Sequence, residues 1–231
     1  MENIAVIGLG QFGTQIAISL TQKGFEVTAI DKSKDVIMNI KDMVSDSVIV
    51  DSTDEKDMRA INIDSVDKVI VAMGSNVQAS LLTTALLQRM EIKKIYVRAI
   101  NPLQESILKS MSIDYIINIE KEMGIQFSNS ISTKNINKYI EISDRHSIVD
   151  TVVPEFLIGK SLKNLHLRSQ YGINVVGIKT RVPEVDDTGE IRYSVKMMDI
   201  PDPTYPLRKN DLLVMFGTDE KLNAFLAKDA L

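Results

Sequence analysis

With 231 residues, 44% of them apolar and 25% charged, the chain has the composition of an ordered globular protein of two modest domains, which excludes a disordered one. Its net charge of −4 divides as −2 on residues 1–138 and −2 on residues 139–231, so neither half carries the basic footprint that nucleic acid or anionic lipid requires. There is no cysteine and histidine occurs only at His146 and His166, which excludes disulfides and thiolate zinc sites; no run approaches ~18 apolar residues and no signal segment opens the chain, so a cytoplasmic protein without membrane insertion is expected.

The first apolar run, Ile4 to Ile7, predicts a strand and leads into Gly8, Gly10 and Gly13, spaced G-x-G-x-x-G, and then into a helical pattern. In that arrangement the first glycine makes the tight turn, the second lets a diphosphate approach the backbone, and the third lets helix pack on strand, while free N–H groups at the helix start face the anion. A second apolar run, Glu26 to Ile30, ends at Asp31, a little over twenty residues from Gly8, where a carboxylate accepts hydrogen bonds from ribose hydroxyls. The alternative is that Asp31 merely caps the next segment.

Ser33 is placed to cap a short helix through about Met43, and Asp46 to Val50 predicts a third strand ending at Asp51. Ser52-Thr53-Asp54-Glu55 has capping-box spacing and starts a helix carrying Met58 and Ile61. Lys68 to Ala72 is a near-continuous apolar strand of the kind buried in a parallel sheet, ended by Met73-Gly74. The longest helix opens at Ser75-Asn76-Val77-Gln78, and Leu81, Leu82, Ala85, Leu86 and Met90 are read as its core face. Lys94 to Ala99 is a fifth strand bearing Arg98, Asn101-Pro102 starts a helix, and Asp114 to Ile119 is a sixth strand followed by Glu120.

Strands alternating with helices predict an α/β fold, a Rossmann-like doubly wound parallel sheet that binds ligands outside the carboxyl ends of its strands. That rule gathers the candidate nucleotide-binding residues on one rim: Gly8, Gly10, Gln11, Phe12, Gly13, Asp31, Lys32, Asp51, Ser52, Thr53, Ala72, Met73, Gly74, Asn76, Arg98 and Glu120. Arg98 and Glu120 read equally as an ordinary ion pair and as ligand groups. Arg98 is the nearest cation for a terminal phosphate, and Glu120 is the candidate to hold Mg²⁺ or Ca²⁺ against it, the alternative being that Glu120 stabilises its helix through the dipole. No histidine, cysteine or Tyr-x-x-x-Lys stands where hydride-transfer chemistry needs an acid or base, so the domain reads as a nucleotide sensor, not an enzyme; a nicotinamide-dependent oxidoreductase is the competing reading.

Lys121 to Lys138 is expected to be a joining helix with Met123, Phe127 and Ile131 on it, either packing on a second subunit or acting as a spacer. From Tyr139 the pattern changes to strands at Tyr139–Ile142, Ser147–Val153, Asn174–Thr180, Glu190–Met197 and Asp211–Gly217, with one or two short helices around Leu162, Leu165 and Leu167, a turn at Asp187-Thr188-Gly189 and a last helix from about Glu220 to Ala227. This is a small α+β domain, giving a division into residues 1–138 and 139–231.

Several stretches together carry a resemblance over essentially the whole chain: Val6 to Gly13, Asp31, Ala72 to Ser80, Ile119 to Gly124, and Arg168 to Gly172. They resemble the regulatory subunits of Trk and Ktr potassium transporters, the RCK or KTN family. The resemblance implies an N-terminal nucleotide-binding RCK domain for ATP, ADP or NAD(H), and a C-terminal ligand-sensing and dimerisation domain. It also implies a homo-oligomer built from dimers, an octameric ring, on the inner face of the membrane, where it gates a separate potassium-translocating membrane subunit. Some members bind cyclic di-AMP in the second domain, which here would fall to Arg168 and Asn174. Ktr-type members commonly have an arginine for the terminal phosphate where this chain has Gln11, which opens the choice among ATP, ADP and NAD(H).

Overall fold

The computed structural model describes residues 2–113, 115–132, 136–185 and 190–230, which form two compact units, Met1–Glu122 and Met123–Leu231. In the first, β1 (Asn3–Ile7), α1 (Gln11–Gln22), β2 (Glu26–Asp31), α2 (Lys34–Ile40), β3 (Asp46–Ile49), α3 (Glu55–Ala60), β4 (Lys68–Val71), α4 (Val77–Arg89), β5 (Ile95–Arg98), α5 (Pro102–Ser110) and β6 (Tyr115–Ile117) alternate along the chain. The strands make one parallel sheet in the order β3-β2-β1-β4-β5-β6. The apolar strands are continuous because the sheet is buried on both sides: Ile7, Met58, Val71, Leu87, Val97 and Leu108 pack on one face, Val6, Ala17, Val27, Ala29, Ile37 and Ile40 on the other. The strand order reverses direction between β1 and β4, so the loops leaving their carboxyl ends diverge and open a crevice there.

Helix α6 (Ile119–Ser132) begins in the first unit and runs on into the second. The second unit then has β7 (Ile136–Ser143), β8 (His146–Val152), α7 (Leu162–Leu165), α8 (Leu167–Tyr171), β9 (Asn174–Val185), β10 (Ile191–Met198), β11 (Leu212–Thr218) and α9 (Asp219–Leu226). Its strands form an antiparallel sheet in the order β10-β9-β11-β8-β7. The core gathers Val149, Leu157, Ile173, Ile178, Leu213, Met215, Leu222 and Phe225, with the rings of Phe156 and Tyr171 edge-on to Phe225. Ser147 Oγ donates to Asp219 Oδ1 at 2.6 Å and Tyr139 Oη donates to the same oxygen at 2.9 Å, which ties β7 and β8 to the start of α9.

The α/β architecture and the α+β second unit are as the sequence predicts, and the differences are local. The joining helix stops at Ser132 and β7 already runs from Ile136, because Tyr139 and Ile140 pair with Val149 and Ile148 of β8 and the ladder extends back towards the helix. The cap of α3 is Asp54, whose Oδ1 accepts the N–H groups of Lys56 and Asp57, and not Ser52; a carboxylate beside the positive end of a helix outcompetes a hydroxyl two residues earlier. Ile61 lies one residue past that helix. On α4 the buried face is Ser80, Thr83, Thr84, Leu86, Leu87 and Met90, whereas Leu82 and Ala85 are exposed. The threonines can be buried because their hydroxyls are satisfied: Thr84 Oγ1 donates to Ser80 O at 2.7 Å and Thr83 Oγ1 shares a 2.9 Å hydrogen bond with Ser52 Oγ. The expected turn at Asp187-Thr188-Gly189 and the start of the sixth strand at Asp114 lie outside the described residues.

Candidate nucleotide-binding site

The three glycines that follow β1 are required for three different reasons. Gly8 has φ +88°, and a Cβ there would lie 2.5 Å from Met73 Cγ, so strain and a neighbour both demand glycine. A Cβ at Gly13 would lie 2.0 Å from the Gly8 carbonyl oxygen, a close approach of helix to strand that no other residue permits. Gly10 has φ −66°, which any residue adopts, and a Cβ there would meet nothing within 4 Å. Neither backbone strain nor packing accounts for a glycine at that place. A cradle that a Cβ would fill is what a diphosphate close to the backbone requires. Gly10 is also the N-cap of α1, which has no side-chain cap and no acid in its first turn, so the positive end of α1 is left for an anion.

Asp31 at the end of β2 serves this loop directly. Its Oδ2 accepts the Leu9 N–H at 2.8 Å and its Oδ1 accepts the Ser33 N–H at 2.9 Å. Each oxygen keeps a lone pair for a ribose hydroxyl, so loop anchoring and sugar binding are compatible in one carboxylate. A cleft of about 660 Å³ opens beside it. Of the residues expected from sequence, Gly8, Asp31, Lys32, Asp51, Ser52, Thr53, Met73 and Asn76 line this cleft. Most of these polar groups are already held: Thr53 N–H and Oγ1 both donate to Asp51 Oδ1, at 3.0 and 2.7 Å, and Asn76 Oδ1 accepts from the Ala79 N–H at 2.9 Å as the cap of α4. The Thr53 hydroxyl, then its N–H, hold the Asp51 carboxyl below its usual range, with Lys32 adding to the effect.

The remaining expected residues stand around the loop and not on the cleft wall. Ala72 is buried against Gly13 and supports the helix contact. Gln11 and Phe12 sit in the first turn of α1. Arg98, at the end of β5, stands with its guanidinium carbon 5.5 Å from the centre of the Phe12 ring, lies against Gly74 and donates through Nη2 to Glu120 Oε1. The Arg98 hydrogen bond, with the helix-start N–H of Glu120 itself, keeps the Glu120 carboxyl below its usual range. Among the described residues no group of three side chains is arranged to hold a metal ion.

Sequence reasoning missed Val50, Ser75, Gln78, Ala79 and Leu82 on the cleft wall. Leu82 was hidden in the apolar pattern of α4; the signal that could have found it is the pair Thr83-Thr84, which shows that the apolar positions of this helix are not all its inner face. In the second unit Arg168 and Asn174 line one cleft of about 560 Å³ with Leu162, His166 and Val175 among its other walls.

The TrkA-N domain family matches residues 4–119 and the TrkA-C domain family residues 151–229. The Ktr system potassium uptake protein C of Bacillus subtilis is 35% identical over 97% of this chain and 96% of its own length, and Ktr system potassium uptake protein A of the same organism is 34% identical over 97% and 95%. Among solved structures, the GsuK channel matches 97% of this chain and 38% of its own with a TM-score of 0.63 at 16% identity, which is a likeness of fold. The NAD(P)-binding domain of an exopolyphosphatase-related protein from Archaeoglobus fulgidus matches 57% of this chain and 98% of its own with a TM-score of 0.51 at 26% identity. The glycine loop, the acid that ends β2, the antiparallel second unit and the near full-length likeness to the Ktr proteins converge, and the chain belongs to the Trk/Ktr family of potassium-uptake regulatory proteins, in which a TrkA-N domain precedes a TrkA-C domain.

Proposed function

We propose that this protein is a cytoplasmic nucleotide-sensing subunit that gates a membrane potassium-translocating partner, working as a homo-oligomeric ring built from dimers, in the octameric form. The observation that carries the reading is Gly10, a glycine that neither backbone strain nor packing requires, beside a carboxylate with lone pairs left for ribose hydroxyls. Support comes from relatives named as potassium uptake proteins along nearly their whole length, and from the likeness of the first unit to a domain described as NAD(P)-binding. Residues 1–138 supply the nucleotide domain with its joining helix, and residues 139–231 the sensing and dimerisation domain. The ligand is ATP, ADP or NAD(H); Asp31 disfavours a 2′-phosphate by charge. Met123, Phe127 and Ile131 on α6 are 54%, 67% and 68% exposed, which suits a helix that packs on a second copy. Glu120 is also the candidate to hold Mg²⁺ or Ca²⁺ against the nucleotide phosphates, and the cation would then take the carboxylate that Arg98 holds here. No helix among the described residues is long and apolar enough to cross a membrane, so the ion pathway belongs to the partner.

Native mass spectrometry of the purified protein tests this directly, because it reports bound nucleotide and subunit number together. An oligomer carrying adenine nucleotide is expected; a monomer that takes up no ATP, ADP or NAD(H) sinks the proposal. Substrate-dependent turnover of NADH would instead favour the oxidoreductase reading. A second ligand, cyclic di-AMP in the cleft of Arg168 and Asn174, is favoured by those two side chains sharing one wall; an absence of binding at micromolar concentration would leave them as contacts between copies.

A further inference from the structure

The junction between α7 and α8 is a single residue, His166, which closes one helix and opens the other. Its φ of +46° and ψ of +36° are left-handed, a conformation for which glycine is the least strained choice. The backbone there is firmly held: the His166 carbonyl accepts the N–H groups of Ser169 and Gln170 at 3.1 and 2.9 Å, and the Ser169 hydroxyl at 3.1 Å. The imidazole is exposed, lines the cleft of Arg168 and Asn174, and has no hydrogen-bond partner among the described residues. A histidine kept at a strained, fixed position on a cleft wall points to a use of its ring.

The charges around that ring have one sign on the wall. Among the described residues Arg168 is the one other charged or titratable group lining the cleft; Leu162, Leu167, Ser169, Ile173, Asn174 and Val175 are neutral. Off the wall, α7 carries Lys163, whose N–H donates to Pro203 O, and the segment of Pro203 carries Asp202, with Oδ1 taken by Thr204. On β9, Lys179 is paired with Asp150, and Lys221 of α9 lies against Gly172 past the far end of α8. No carboxylate lines the cleft to meet a protonated imidazole, so that charge has to come from a ligand.

We propose that His166 binds a phosphodiester beside Arg168, and that its imidazole takes up a proton from solvent as the ligand enters, so that the second cleft answers to pH as well as to its ligand. This rests on the reading of that cleft as a cyclic dinucleotide site. A phosphodiester has two unesterified oxygens, and Arg168 and His166 stand on the same wall to receive them. Imidazole is the side chain that gains its charge near neutral pH, and a phosphate oxygen beside it favours the charged form. The phosphate stays ionised throughout, so one proton moves from water to the ring. By linkage, affinity rises as pH falls, and a given concentration of ligand fills the second cleft further in an acidified cell than in an alkaline one.

The test is calorimetry of the full-length protein with cyclic di-AMP at about pH 8, 7 and 6, in buffers of different ionisation enthalpy, for wild type, His166→Asn and His166→Arg. Asparagine tolerates the left-handed backbone and removes the titrating ring; arginine supplies a charge that pH does not change. Wild type is expected to tighten by up to roughly tenfold from the highest pH to the lowest, with a heat that depends on the buffer because a proton is taken up. His166→Asn should bind as wild type does at the highest pH, at every pH, and His166→Arg should bind tightly with no pH dependence. Wild-type affinity and heat that are the same at each pH and in each buffer overturn the proton uptake while leaving the cleft a cyclic dinucleotide site, and that result needs no variant to fold. A pH dependence that survives in His166→Asn places the titrating group elsewhere and also overturns it. Failure of wild type to bind at any of these pH values removes the reading of the cleft itself and the inference with it.

Discussion

The two clefts of this chain are built on opposite plans. In the first unit the polar groups are fixed before any ligand arrives: Asp31 is tied to two backbone N–H groups, Asp51 to Thr53, Ser52 to Thr83, Asn76 to the start of α4. In the second, Arg168 and Asn174 are exposed and make no side-chain hydrogen bond among the described residues, and the wall around them is largely apolar. The first cleft is preorganised by these bonds and by the parallel sheet beneath it, so ligand binding costs little ordering. The second must order its own side chains when it binds, and its selectivity depends more on what the ligand brings.

The sharpest way to break this contrast lies in the glycine loop. Gly13→Ala should cost about 3 kcal/mol or more, because the clash is with backbone that has nowhere to go. Gly10→Ala should cost less than about 1 kcal/mol of stability and yet weaken nucleotide binding at least tenfold. Chemical denaturation and calorimetry on both variants separate fold from ligand; equal stability losses would mean that Gly10 is structural after all.

Asp31→Ala comes next. Removing an acceptor of two backbone N–H groups should destabilise the protein by about 2 kcal/mol even without nucleotide, and lower affinity for ATP, ADP and NAD together. A folded variant with unchanged affinities takes Asp31 out of the site. Arg168→Ala, by contrast, should leave the melting curve within about 0.5 kcal/mol of wild type while abolishing any cyclic di-AMP binding; a large stability loss would show that the second cleft is preorganised like the first.

Acid should weaken the first unit by a small, defined step. The Glu120 and Asp51 carboxyls are held below their ordinary values of 4.5 and 3.8, so each contributes stability that is present above that value and is lost as pH falls through the folded-state value. Denaturation midpoints should be flat from pH 7 to about 5 as far as these groups are concerned, and Glu120→Gln should flatten the fall below about pH 4.5. An unchanged acid limb in that variant would show that the Arg98 pair is too solvated to matter. The smallest effect is expected at Glu91, exposed just past α4 with φ +59°: Glu91→Gly should raise stability by roughly 0.5–1 kcal/mol, because glycine suits the left-handed position after a helix.

The sequence announces those features whose residue types have one physical use. Three glycines after an apolar run, an acid ending the next one, and six alternating elements led to the parallel sheet and to half of the cleft wall. It is silent where a residue type has two uses. Thr83 and Thr84 look solvent-facing until their hydroxyls find Ser52 and Ser80, and Leu82 looks buried until they do. Ser52 and Asp54 are both acceptable caps by residue type, and the carboxylate next to the positive end of α3 takes the place. The start of β7 depends on a ladder with β8, a partner that local pattern cannot supply.

The sheet orders also set a timetable for synthesis. In the first sheet β1, the earliest strand made, lies between β2 and β4, so each later strand adds to a centre that already exists. In the second, β11 lies between β9 and β8 and is the last strand made. Until Leu212 to Thr218 have left the ribosome, β8 and β9 have no shared partner, and the edges that β11 will occupy stay open. The amino-terminal unit can thus fold while the chain grows, whereas the carboxy-terminal unit closes only once β11 has been made, and a chain cut short before β11 loses its second sheet and keeps its first.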